Sequence, residues 1–150
     1  MIVRLTILFV AFTLAGKAAG QDDAAAKDKE ALQGDWRVVA AYDNGEKVPD
    51  NDIKQMKIKF AGSTVVVHEG DKLHERFMFK LDPVKKPKAI DFLVTEGKKK
   101  GSTDLGIYLL EGDSLKLSIK EGGPRPKDFA SKAGSKIFYV ELQRIKSEKG

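Results

Sequence analysis

Leu32-Gln33-Gly34-Asp35-Trp36-Arg37-Val38-Val39-Ala40-Ala41-Tyr42 is the stretch on which the fold turns. Before it the chain is polar and alanine-rich. From Trp36 onward apolar residues recur at every second position, with Trp36, Val38, Ala40 and Tyr42 on one parity. That period puts successive side chains on opposite faces of an extended chain, so it predicts a strand with one buried face. Asp43-Asn44-Gly45 ends the run with turn chemistry. Val48 to Asp52 then reads as a loop feeding a short helix, capped by Asp50 or Asn51.

The same period returns seven more times. Met56, Ile58 and Phe60 alternate with Lys57 and Lys59, and Ala61-Gly62-Ser63 turns the chain into Thr64–His68. Glu69-Gly70-Asp71-Lys72 reads as a tight hairpin, with His68 opposite Leu73 and Val67 opposite His74. Leu73–Leu81 follows, with Leu73, Phe77, Phe79 and Leu81 on one face. Ala89–Glu96, Thr103–Leu110, Ser114–Lys120 and Ile137–Ile145 complete the set. Short turns join nearly all of them; the exceptions are the proline loop Asp82–Lys88 and the longer Glu121–Lys136. Eight strands linked mostly by hairpins predict an all-β, eight-stranded antiparallel up-and-down barrel over residues 32–146, with one short helix between the first two strands. Closure removes the edges that invite aggregation, and an eight-stranded interior holds side chains or one small ligand.

Residues 1–20 read as a secretory signal peptide: Arg4 in a positive start, an apolar run Leu5–Ala15, and Ala18-Ala19-Gly20 before a cut at Gln21. Lys17 closes the run short of the ~20 apolar residues a spanning helix needs. Export to the periplasm or the extracellular space is therefore expected, with no transmembrane segment after signal removal. Residues 21–31 are taken as a polar spacer running into a helical turn near Lys29–Gln33, and 147–150 as a polar tail. Loss of Arg4 and Lys17 lowers the formal charge from +5 to +3. A mildly basic, mixed-sign surface is an ordinary solubility device and does not demand nucleic acid. With no cysteine in the chain, core packing and strand pairing must hold the domain together.

Gly34-Asp35-Trp36 at the start of the first strand, and Arg144 on the parity of Val140 and Leu142 near the end of the last, resemble the lipocalin (calycin) arrangement. There a G-x-W motif opens the barrel and a late arginine packs across the tryptophan. The resemblance implies that Trp36 and Arg144 close one end of the barrel, an indole–guanidinium contact worth about 1–2 kcal/mol when shielded. A wider resemblance spans almost the whole of residues 21–150 and is carried by Leu32–Trp36, Lys86–Asp91, Leu105–Tyr108, Glu111–Leu117 and Pro124–Phe129. In order and spacing they resemble a family of small exported proteins of unknown function, abundant in planctomycete bacteria. Ser118 stands where that family often carries cysteine, so no thiol chemistry transfers. The family implies a lipocalin-like fold and brings no established activity and no catalytic residues.

Chemistry-bearing constellations are few. The chain has no G-x-S-x-G and no phosphate-cradling glycine loop leading into a helix. His68 and His74 flank one hairpin on opposite faces and read as solvated; a zinc site wants three or four converging ligands. No metal, cofactor or enzymatic activity is expected. Glu75 interrupts the apolar parity of its strand and reads as a rim carboxylate or a partner of a lysine or Arg76; Asp91 reads as a cap on the neighbouring loop. In a meander, loops alternate ends. Lys98, Lys99, Lys100, Arg125, Lys127 and Lys132 would therefore gather at one end, and Lys85, Lys86 and Lys88 at the other. With only Phe129 among them, nucleic acid is not expected. The interior aromatics either pack the core or line a cavity. The candidate ligand-binding set is Phe77, Phe79, Tyr108 and Phe138 on the wall, with Lys99 and Arg125 at a basic mouth. The expected partner is a small apolar or anionic amphipathic ligand; the alternative is a filled barrel that docks to a protein of the cell envelope.

Overall fold

The computed structural model describes residues 19–146. The signal-peptide reading falls almost wholly outside them, as does the tail at 147–150. The chain runs α1 (Ala19–Leu32), β1 (Gly34–Asp43), β2 (Glu46–Lys47), α2 (Asp50–Ile53), β3 (Met56–Ala61), β4 (Thr64–Glu69), β5 (Lys72–Asp82), β6 (Ala89–Val94), β7 (Thr103–Glu111), β8 (Ser114–Glu121) and β9 (Ile137–Arg144). Each strand from β3 to β9 pairs antiparallel with the next, and β1 pairs with β3 on one side and β9 on the other. The sheet therefore closes into an eight-stranded up-and-down barrel, consistent with a lipocalin-like fold. β2 is a two-residue addition that folds back on the end of β1.

The barrel core is the inward face of these strands, from Trp36, Ile58 and Phe60 through Phe79 and Phe92 to Leu117, Val140 and Leu142. Aromatic pairs stiffen it: Phe60 and Phe79 meet edge-on at 5.2 Å, and Phe77 and Phe92 at 5.9 Å. Two bulges adjust the alternation read from the sequence. In β1 the pairing with β9 shifts between Val38 and Ala40, so Ala41, not Ala40, is the next buried residue. In the β4–β5 pair the shift falls between Val67 and His68, so Val67 faces Glu75 instead of His74. An extra residue on one strand reverses which face the following side chains take. Leu73 consequently lies outside, 41% exposed, and Glu75 turns with Val67 toward the interior.

The segment taken as a polar spacer is the 14-residue helix α1. Its alanines favour a helix, and it docks by polar contacts more than by an apolar face. Tyr108 donates from its hydroxyl to Asp28 Oδ2 at 2.7 Å, and Lys88 pairs with the same oxygen at 2.9 Å. Lys29 donates to Ser63 Oγ, and Gln33 exchanges two hydrogen bonds with the backbone of Gly62. Burial first, and the Asp28 bond second, push the Tyr108 phenol well above its ordinary range, so it remains a donor. Gly34 ends the helical segment at φ +114°, a conformation that favours glycine, and a Cβ there would stand 3.4 Å from the Arg144 guanidinium.

That guanidinium spans the base of the barrel. It lies 4.4 Å from the centroid of the Trp36 ring, and the two residues are cross-strand partners. Arg144 donates to the carbonyls of Ala31 and Gln33 at the C-terminal end of α1 and to Asp113 at 3.1 Å. Trp36 is fully buried and donates from its indole N–H to Leu32 O at 2.8 Å. One cation thus serves carbonyls a helix end leaves free and covers an aromatic face.

Candidate functional site

The end of the barrel away from α1 is open. A cavity of about 430 Å³ runs inward from it, with Val38, Ile58, Phe60, Val65, Val67 and Phe92 among its apolar walls. Phe77 and Phe138 line it too. Phe79 and Tyr108 do not: Phe79 is spent on Phe60, and Tyr108 points to the closed end and Asp28.

The rim is built from residues at strand ends. Asp43 closes β1, Glu75 lies near the start of β5, Asp104 near the start of β7, and Glu121 closes β8; all four line the cavity, with His74 and Lys136. Asp104 turns inward because it shares parity with Gly106 and Tyr108. A second hollow of about 400 Å³ opens beside the first, under the 95–102 loop. The two share His74, Glu75, Phe77, Asp104 and Glu121, so three carboxylates stand at their junction. Lys99 reaches in from that loop and pairs with Glu121. Its ammonium is held above the ordinary lysine range, chiefly by the hydrogen bond to Glu121 and further by the charges of Asp104 and Glu75.

The expectation of a basic mouth is therefore corrected. Lys98 and Lys99 do line the hollow beside the mouth, Lys99 engaged there by Glu121, and Lys136 lines the cavity itself, but Arg125 is not at the mouth. The β8–β9 connection is long enough to leave the rim and run along the outer wall. There Arg125 pairs with Asp91 at 2.7 Å and donates to the carbonyls of Gly106 at 2.8 Å and Ile90 at 3.3 Å. Asp91 is thus an anchor for this strap and not a loop cap. Farther along, Ser131 Oγ accepts from Gly45 N–H and donates to Ile137 O. Ile107, Ser118 and Tyr139, outward by alternation, are buried all the same, and Pro126 of the strap is buried with them. Ser118 Oγ has no hydrogen-bond partner there. The sequence offered one sign of this second layer, an apolar Ile107 on the outward parity.

Compared with family models, curated proteins and solved structures, the chain matches none of them. The site therefore has to be read from its own chemistry.

Asp104 carries the clearest electrostatic signature. Its carboxyl is held above the ordinary carboxylate range, first by burial, then by Glu121 and Glu75, with Lys99 opposing. A raised value in the folded state means the fold binds this proton more readily than the unfolded chain does. Stability therefore falls as pH rises from the ordinary carboxylate value through the raised one, and at neutral pH the ionised Asp104 is a cost. Asp104→Asn is expected to raise the midpoint of thermal unfolding at pH 7 and to leave it unchanged at pH 3, where both states are protonated. Equal midpoints at both pH values would show that the carboxylate is not under strain.

Proposed function

We propose that this protein is a binding module, not an enzyme, and that it holds one small, largely apolar ligand in the open end of its barrel. The observation that carries the reading is the 430 Å³ cavity with its apolar walls. Its volume lies in the range of small-molecule sites, which combine apolar walls with a few polar groups that orient the ligand. The apolar run and small residues at 1–20 support action outside the cytoplasm, after export, and the quoted stretches support membership of the small exported family they resemble. Among the described residues no helix is long and apolar enough to cross a membrane.

A neutral fluorescent probe, N-phenyl-1-naphthylamine, tests the reading. One-to-one saturable binding is expected, and Val67→Trp, which fills the cavity from its wall, is expected to weaken it by about tenfold or more without lowering the thermal midpoint. Binding that is absent in the unaltered protein, or indifferent to Val67→Trp, would remove the cavity from consideration.

A further inference from the structure

We infer that the outer face of strands β3–β6 is a docking surface for an anionic lipid bilayer. This goes beyond the cavity reading and does not rest on it. Strand alternation turns Lys57, Lys59, Arg76 and Lys80 outward on these four strands. The carboxylates on the same outward parity are Asp82 and Asp91, and each is already met by a cation from a loop, Lys85 at 4.0 Å and Arg125 at 2.7 Å. Arg76 pairs with Glu96 from the 95–102 loop at 3.3 Å. Among the described residues Lys57, Lys59 and Lys80 form an ion pair with no carboxylate, although Asp35 and Asp91 stand across from Lys59 and Lys80. The opposite wall is balanced. On β7–β9 and β1 the outward Arg37, Lys116 and Lys120 are matched by Asp35, Glu111 and Glu141. The positive excess carried by the strands thus lies on one side of the barrel.

Between its charges the same wall is apolar. Met78 and Leu93 stand opposite one another on β5 and β6 and are 47% and 40% exposed, and Val66 lies between Lys59 and Arg76. Leu73 adds a third exposed aliphatic side chain toward the rim. Aliphatic side chains among cations suit the boundary between lipid headgroups and acyl chains. The tips of Met78 and Leu93 leave water there, and lysine stems lie along the surface while their ammonium groups reach the phosphates. Each lysine close to an anionic bilayer contributes about a fivefold gain in affinity. A second copy of the chain is a poor occupant, because a two-fold contact through this face would set its lysines against themselves. A folded protein partner fits less well too. Such interfaces are poor in lysine and rich in aromatic anchors, and no Phe, Tyr or Trp stands at an outward position of β3–β6.

Cosedimentation with vesicles of phosphatidylcholine alone, or of phosphatidylcholine with about one-third phosphatidylglycerol, tests the surface. Binding to the anionic vesicles is expected to exceed binding to the neutral ones by at least about tenfold, and to weaken as salt is raised. The triple variant Lys57→Gln, Lys59→Gln, Lys80→Gln is expected to bind the anionic vesicles about a hundredfold more weakly. Arg37→Gln, Lys116→Gln, Lys120→Gln removes the same charge from the opposite wall and is expected to cost no more than about threefold. The chain has no cysteine, so a single introduced one can carry a polarity-sensitive dye. On anionic vesicles the emission of a dye at Leu93→Cys is expected to shift to the blue, and that of a dye at Leu109→Cys, exposed on the opposite wall, to stay unchanged. Val67→Trp is expected to leave vesicle binding as it is, so failure of the cavity reading and failure of this one are seen separately. If the two triple variants weaken binding equally, net charge alone is at work and the wall is not a docking surface. Absence of binding to anionic vesicles, or equal dye shifts at the two positions, overturns the proposal as well. Binding to polyglutamate that depends on the three lysines, with no binding to vesicles, would assign the face to an acidic protein instead.

Discussion

Trp36→Ala is expected to lower the free energy of unfolding by about 3–5 kcal/mol, measured by urea denaturation. Trp36 is wholly buried at the base of the barrel, so truncation leaves a cavity lined by residues already paired into a closed sheet. A sheet that closes on itself cannot collapse inward at one point without straining its neighbours, which puts the cost high in the range for a large aromatic. The indole N–H bond to Leu32 O is lost as well. Arg144→Met is expected to cost about 2–4 kcal/mol, because it deprives the carbonyls of Ala31 and Gln33 of their charged donor and leaves Asp113 with Lys146 alone. The decisive quantity is their interaction. The ring and the guanidinium touch, so the double variant is expected to lose about 1–2 kcal/mol less than the two single losses added together. Strict additivity would mean that the indole and the guanidinium contribute separately and that the closure is mere proximity. Should Trp36→Ala fail to fold, Trp36→Phe supports the same cycle with a smaller cavity.

The strands were legible because period-two patterning is a local property: each inward apolar residue announces its face whatever the partner strand is. Bulges are not local. Val39 and His74 are ordinary strand residues in sequence, and only pairing with β9 and β4 makes them the places where register slips. Of helix α1 only the last turn, near Lys29–Gln33, was legible, for a related reason. Its residues carry no apolar stripe, because Asp28, Lys29 and Gln33 dock it through polar contacts to partners far along the chain. The site was half legible. Phe77 and Phe138 stand on inward parities and do line the cavity. Of the acidic rim only Glu75 was legible, although Asp104 could have been found: it falls two residues before Gly106 and four before Tyr108, on one inward face. Arg125 could not have been placed. A meander argument locates the ends of a connection, and a long connection is free to spend its middle anywhere on the outer wall.

That strap makes the second large prediction. Arg125→Met is expected to destabilise the fold by about 2 kcal/mol or more, for reasons that extend beyond an ion pair. Exposed pairs contribute little, and Asp91 is itself partly exposed. Arg125 also supplies hydrogen to the carbonyls of Ile90 and Gly106 on the outer wall, and both of these residues are buried. Both carbonyls belong to partners in the β6–β7 ladder, so Arg125 adds charge-assisted second bonds to them, and their loss comes on top of that of the ion pair. Gly106 shows how tight the wall is there, since a Cβ at this position would come within 2.9 Å of Ser118 O. The strap is pinned a second time at Ser131, so freeing Arg125 is expected to loosen residues 122–130 and leave the barrel closed. Limited proteolysis should then cut within that segment in Arg125→Met and spare it in the unaltered protein. Adding Asp91→Leu is expected to recover part of the loss, because a carboxylate with no partner is worse than an apolar side chain in the same place. If Arg125→Met changes neither the unfolding free energy nor the cleavage pattern, the outer layer over Ile107, Ser118 and Tyr139 is held by packing alone, and the guanidinium is only a passenger on it.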